Sequence, residues 1–144
     1  VDYSNCAGSK VHEGFLKVYN ILRPLIREKF YSFVKEKMRD GLKVYFLGHS
    51  LGGAVANFAA YEAYQYFKAE KLNISSQLLT CGAPRVGDKV FKKCLENDIN
   101  LDAIIRLTYL NDPIREIPNE PDYVHVGTEY HFTSLTQYEK KNFY

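Results

Sequence analysis

The chain has 144 residues, enough for one domain with little room for a second. With 46% hydrophobic and 25% charged residues it can build a packed core, which excludes a disordered chain. A net charge of +2, with no Lys/Arg cluster in any one segment, gives no sign of nucleic-acid binding, and no apolar run approaches the length of a membrane span.

Residues 1–11 are small and polar and read as a loop, without the basic start and apolar stretch of a signal peptide. A helix is predicted from Glu13 to about Asn20. Pro24 suits the first turn of a second helix, from Arg23 to Arg39. There Leu25, Ile26, Phe30, Phe33, Val34 and Met38 recur at helical spacing. Asp40-Gly41 ends that helix, because glycine accepts the left-handed cap. Residues 43–48 are short, aromatic and β-branched, and read as a buried strand. The Ala-rich run from Leu51 to about Lys68 reads as a helix.

Residues 77–81 form the next predicted strand, followed by a turn over Gly82–Gly87 and a short helix from Asp88 to Asn97. A third strand covers Ala103–Leu110 and stops at Asn111-Asp112-Pro113. Tyr123–Val126 and Glu129–Thr133 are predicted to pair as a hairpin around Gly127-Thr128. Strands alternating with helices predict an α/β layer with a mostly parallel sheet, the hairpin extending one edge. Three cysteines, Cys6, Cys81 and Cys94, match no zinc spacing and cannot all pair within the chain. Cys81, in an apolar run, reads as a buried small hydrophobe. Asn73-Ile74-Ser75 is a glycosylation sequon.

The motif that carries chemistry is Gly48-His49-Ser50-Leu51-Gly52. It follows a predicted strand and opens a predicted helix, the context in which G-x-S-x-G lifts a serine hydroxyl out of a sharp turn. Gly48 and Gly52 are expected to remove side chains that would collide there. Gly53, Ala54 and Ala56 keep the helix close to the sheet. The Leu51 amide, at the helix start, is the expected first oxyanion donor. His49 should turn away from the hydroxyl. Of the later acids, Asp112 stands where a predicted strand stops, at the end where Ser50 should lie, and Pro113 fixes the backbone after it. The same residue also suits a plain turn position before proline.

These segments resemble the class 3 lipases, the group of fungal triacylglycerol lipases and their plant relatives. The match runs through Val11–Phe15, Gly48–Ala54, Gly82–Gly87, Arg106–Pro118 and His125–Tyr130, in that order. The resemblance implies an α/β-hydrolase fold, incomplete at both ends, with residues 1–144 forming one core that is part of a longer domain. It implies a serine ester hydrolase acting on lipid esters, with Ser50 as nucleophile and Asp112 as acid, needing no metal or cofactor. Transient contact with a lipid interface and a secreted or endomembrane location are also implied. The family's earlier Arg-Gly-Ser/Thr strand, which supplies a second oxyanion donor, has no counterpart, and Arg39-Asp40-Gly41 ends a helix instead.

No histidine stands at the family's catalytic position. His12 and His125 fall at structural positions of the motif. His131 could serve only if the hairpin curled over the site. The chain is then a piece of a longer lipase, a homologue that keeps the fold as a lipid-binding or interaction module, or an enzyme with an unusual base. Without the family's first strands and last segment, sheet edges and apolar faces are expected to be uncovered.

Overall fold

The computed structural model describes residues 1–37, 41–98, 101–119 and 121–142, except the side chains of 98, 101, 102 and 142. The predicted end of the second helix, Arg39-Asp40, falls outside these residues, but Gly41 has the expected positive φ of 81°.

The elements run α1 (Glu13–Ile26), a π-helical turn (Arg27–Tyr31), α2 (Ser32–Lys37), β1 (Lys43–His49), α3 (Leu51–Ala69), β2 (Ser75–Cys81), α4 (Lys89–Lys93), a second π-helical turn (Cys94–Asp98), β3 (Leu101–Tyr109), a 3₁₀ turn (Pro113–Glu116), β4 (Thr128–Phe132) and β5 (Tyr138–Asn142). The strands form a sheet in the order β1-β2-β3-β4-β5. The first three pairings are parallel and the last is antiparallel. This is the mostly parallel α/β sheet that the sequence predicts, with a hairpin at one edge.

Two predicted boundaries differ. Pro24 does not open a new helix but lies inside α1. A proline costs one backbone bond and a local clash, yet α1 continues through it to Ile26 and is followed by a π-helical turn and α2. The hairpin exists with other strands. Residues 123–126 do not pair with 129–133; Thr128–Phe132 lies parallel to β3 and turns back into β5. Gly127 is required for close approach rather than for a turn. It has a φ of 74°, and a Cβ there would lie 2.4 Å from Ile104. The true hairpin loop, residues 133–137, is closed by Ser134 Oγ, which accepts from the Gln137 amide at 3.1 Å.

One face of the sheet carries the core. Val44, Phe46, Leu78 and Ile104 meet α3, whose small residues Gly53, Ala54, Ala56, Ala60 and Ala63 are buried. α1 packs outside α3, with Tyr19, Phe58, Phe91 and Tyr3 ring to ring. Glu62 of α3 is 4% exposed and is the polar centre of this layer. Its carboxylate accepts from Arg23 Nε at 3.0 Å and Asn5 Nδ2 at 2.9 Å, joining α3 to α1 and to the N-terminal loop. A buried carboxylate with these partners fixes the helix register, because removing either partner strands a charge.

Cys6 and Cys94 form a disulfide across 88 residues. Sequence spacing does not indicate this pair; the core brings the opening loop against the second π-helical turn. Closing so long a loop stabilises the fold by about 4–5 kcal/mol in the chain-entropy account. Cys81 is free and only partly buried, at the end of β2, rather than a core residue.

The other face of the sheet has no helix over it among the described residues. Tyr45 is 55% exposed and Leu47 66%, and β1 is an edge strand. The expected uncovered edge and apolar face are therefore present. No helix among the described residues is long and apolar enough to cross a membrane.

Candidate active site

The site is built at the C-terminal ends of β1, β2 and β3. β1 ends at His49 and α3 begins at Leu51, so Ser50 alone makes the turn. Its backbone sits at φ 52° and ψ −125°, a conformation that a non-glycine residue holds only under strain. That strain is the signature of a side chain pushed out of a tight strand–helix junction. The junction is held from both sides: the Ser50 amide donates to the Cys81 carbonyl at 2.9 Å, and the Gly53 amide donates to the Ser50 carbonyl at 2.9 Å.

The glycines divide the work differently from expectation. A Cβ on Gly48 would stand 2.2 Å from the Gly52 carbonyl oxygen, so the turn can close only over a glycine. Gly53 is equally constrained, with Ala83 Cβ 2.5 Å from where its own Cβ would be. Gly52, expected to be as tight, has open space around it. Gly48→Ala should therefore cost about 3 kcal/mol or more, the upper range for overpacking against atoms that cannot move. Gly52→Ala should be neutral or stabilising by up to about 1 kcal/mol, the helix propensity gain. Urea denaturation of the two variants checks this, and equal losses would contradict it.

Leu51 is the first residue of α3, so its amide has no acceptor within the helix and faces the serine's end of the sheet. The arrangement offers one backbone donor and a helix N-terminus where negative charge would develop on an attacked carbonyl. His49 is exposed on the uncovered face of β1, on the side away from α3.

Asp112 follows β3 and caps the 3₁₀ turn, its Oδ1 accepting from the Ile114 amide at 3.0 Å. Its Oδ2 lies over Gly82, where a Cβ would meet it at 2.7 Å. Gly82 directly follows Cys81, whose carbonyl holds the Ser50 amide. Ser50 and Asp112 thus stand at the same end of the sheet, on either side of the Cys81-Gly82 segment.

Residues outside the Gly48–Gly52 motif pin the turn that carries Asp112. Arg85, 8% exposed, donates to the carbonyls of Glu116 and Pro118 and pairs with the Glu116 carboxylate at 3.1 Å. His125 Nε2 donates to the Arg115 carbonyl at 2.6 Å. Arg115 reaches His131 Nδ1 at 3.1 Å and Glu129 at 3.5 Å. Arg85 sits inside the Gly82–Gly87 motif, which was the only sequence signal for this role.

Burial, and then the charge of Arg106, push the His125 pKa down to about 3, although its bond to the Arg115 carbonyl opposes this. The unfolded chain takes up a proton on this ring below about pH 6.5, and the folded chain does not until about pH 3. Its contribution to stability is present above pH 6.5 and is lost as pH falls, by about 1.4 kcal/mol per pH unit. Between pH 7 and pH 5 the protein should lose about 2 kcal/mol that His125→Gln does not lose. Denaturant midpoints at the two pH values measure it, and identical slopes would contradict it.

No histidine joins Ser50 to Asp112. His12 caps α1, accepting from the Phe15 amide at 3.4 Å and stacking on Phe15. His131 lies on β4, three strand spacings or about 14 Å of sheet from β1. Its ring is held on the core face by Thr108 Oγ1 at 2.9 Å. That places it beyond the hydrogen-bond reach a base for Ser50 needs.

A strained serine between β1 and α3, glycine-dependent on both sides, with an aspartate closing the next turn but one, is the frame of a known lipase group. A family model described as Lipase (class 3) matches residues 1–121. The chain belongs to the class 3 lipase family.

Among members of this family, the lipase of Rhizomucor miehei is 34% identical over 139 residues, 92% of this chain and 36% of that protein. The chloroplastic phospholipase A(1) DAD1 of Arabidopsis thaliana is 32% identical over 116 residues, 78% of this chain and 25% of that protein. The solved Rhizomucor miehei triacylglyceride lipase superposes with a TM-score of 0.82 at 29% identity, covering 96% of this chain and 51% of that one. A triacylglycerol lipase described as having a serine protease triad at its catalytic centre superposes with a TM-score of 0.81 at 29% identity, covering 96% of this chain and 51% of that one. The fold is therefore that of the α/β-hydrolase lipases. The chain spans a quarter to just over a third of these curated relatives and about half of the solved ones.

Proposed function

We propose that this chain is the nucleophile-bearing core of a serine carboxylic-ester hydrolase that cleaves lipid esters. The observation that carries this is the φ of 52° at Ser50, held between a strand end and a helix start. Ser50 attacks the ester carbonyl and forms an acyl-serine. The Leu51 amide donates to the oxyanion. Asp112 orients and stabilises the histidine that takes the serine proton.

That histidine, and a second oxyanion donor, come from outside residues 1–144, for which the longer relatives have room. The chain is thus one part of a longer catalytic domain. The substrate class follows the relatives, which are named for triacylglycerol, mono- and diacylglycerol and phospholipid hydrolysis. The Cys6–Cys94 disulfide fits an oxidising compartment. The reaction needs no metal or organic cofactor, because the side chains and amides supply its chemistry.

The absence of a base beside Ser50 among the described residues favours one other reading, a lipid-binding or interaction module on the same fold. Fatty-acid release from a triacylglycerol emulsion and from p-nitrophenyl butyrate, measured on the full-length protein, separates the two. Release of acid from either upholds the hydrolase. Binding of lipid with no turnover upholds the module.

A further inference from the structure

The motif that ester cleavage leaves unused is Asn73-Ile74-Ser75. Of the chain's asparagines, only Asn73 is followed at the second position by serine or threonine, and neither the residue between nor the one after is proline. Such a triplet acquires a role where the folded chain leaves the asparagine outside and the protein passes through a secretory compartment.

The fold meets the first condition by the way α3 ends. Lys71 has a φ of 54°, its amide donates to the Lys68 carbonyl at 3.2 Å, and the Leu72 amide donates to the Phe67 carbonyl at 2.8 Å, a left-handed helix cap. The Ile74 amide then donates to the Leu72 carbonyl at 3.1 Å, closing a three-residue turn around Asn73. Leu72 and Ile74 pack against the cluster of Val34, Ala63 and Phe67. With both neighbours drawn inward, Asn73 is left at the apex of the turn, and it is exposed.

The Cys6–Cys94 disulfide points to the second condition. Such bridges form and persist in the lumen of the secretory pathway and outside the cell, and that lumen is where asparagine-linked sugars are attached. The turn also lies clear of the ester-cleaving centre. Asn73 stands just before β2, whose first residue, Ser75, pairs with Lys43 and whose last, Cys81, holds the Ser50 amide. The 7 residues of β2, about 20 Å at the usual strand rise, separate the two ends.

We propose that Asn73 carries an N-linked glycan, placed on the turn between α3 and β2 at the end of the sheet away from Ser50. The donor is an oligosaccharide linked to a polyprenyl diphosphate. Asn73 Nδ2 bonds to the anomeric carbon of the first sugar as the anomeric C–O bond breaks. The diphosphate leaves with the electron pair, and Nδ2 gives up one proton. Ser75 supplies the hydroxyl that the transferase reads. The transfer takes place on the extended chain, so the later place of Ser75 in β2 is no obstacle. This rests on the oxidising compartment indicated by the disulfide and is independent of the chemistry at Ser50.

The test is peptide mass spectrometry of the full-length protein from its native source, digested without reductant, before and after peptide N-glycosidase F in heavy-oxygen water. The peptide holding residue 73 should appear after the enzyme, with aspartate bearing heavy oxygen in place of Asn73. Expressed in the same cells, Asn73→Gln and Ser75→Ala should each lose the glycan and its gel shift, whereas Ser75→Thr should keep both. Asn73→Gln should hydrolyse p-nitrophenyl butyrate as the wild type does, because the turn is remote from Ser50. An unmodified Asn73 beside an intact Cys6–Cys94 bridge would overturn the glycan and leave the compartment standing. An unmodified Asn73 with both thiols free would overturn the two together. A gel shift that persists in Asn73→Gln would place the sugar elsewhere and overturn the assignment.

Discussion

Ser50→Ala is expected to remove ester hydrolysis by the full-length protein, with kcat lower by about 10⁶, the scale seen when a triad serine is deleted. The reason is local. Ser50 alone spans β1 and α3, on a strained backbone, and is the proposed nucleophile. Alanine tolerates the same backbone no better and no worse than serine, so folding should be retained. KM for p-nitrophenyl butyrate should change little, because the hydroxyl contributes to bond formation rather than to substrate binding. Retained turnover in a folded Ser50→Ala variant would remove residue 50 from the reaction.

Asp112→Asn is expected to lower kcat by about 10⁴. Asparagine keeps an oxygen for the Ile114 amide, so the 3₁₀ turn should hold its shape. What is lost is the negative charge that steadies a protonated histidine and selects its tautomer. The effect should fall on kcat with KM near the wild-type value. A drop of less than tenfold would mean that another acid orients the base, and Asp112 would revert to a turn residue. Loss of folded protein would instead show that its contact over Gly82 is structural.

The elbow was legible in the sequence because its determinants are local: a β-branched strand, a glycine on each side of a serine, and an alanine-rich helix. The place of Asp112 just after β3 was legible for a similar reason, since Asn111-Asp112-Pro113 stops a strand. Where the role of a residue depends on a distant partner, the sequence does not display it. Gly127 looked like a turn glycine, but its constraint is the approach of Ile104 from β3. Cys6 and Cys94 meet only because α3 and α4 bring the opening loop onto the second π-helical turn.

Proline favours a helix start, but the core contacts of α1 carry the helix through Pro24. His125 and Arg85 lay within the motifs, but their hold on the Asp112 turn is visible only in three dimensions.

Ester cleavage by the proposed route requires a reactive hydroxyl at residue 50. The most direct measurement is mass spectrometry of the full-length protein after exposure to a fluorophosphonate ester. The predicted result is one phosphonyl group on Ser50, appearing in step with loss of hydrolysis. A protein that hydrolyses esters while Ser50 stays unmodified, or that takes the label on a different residue as activity disappears, would contradict it.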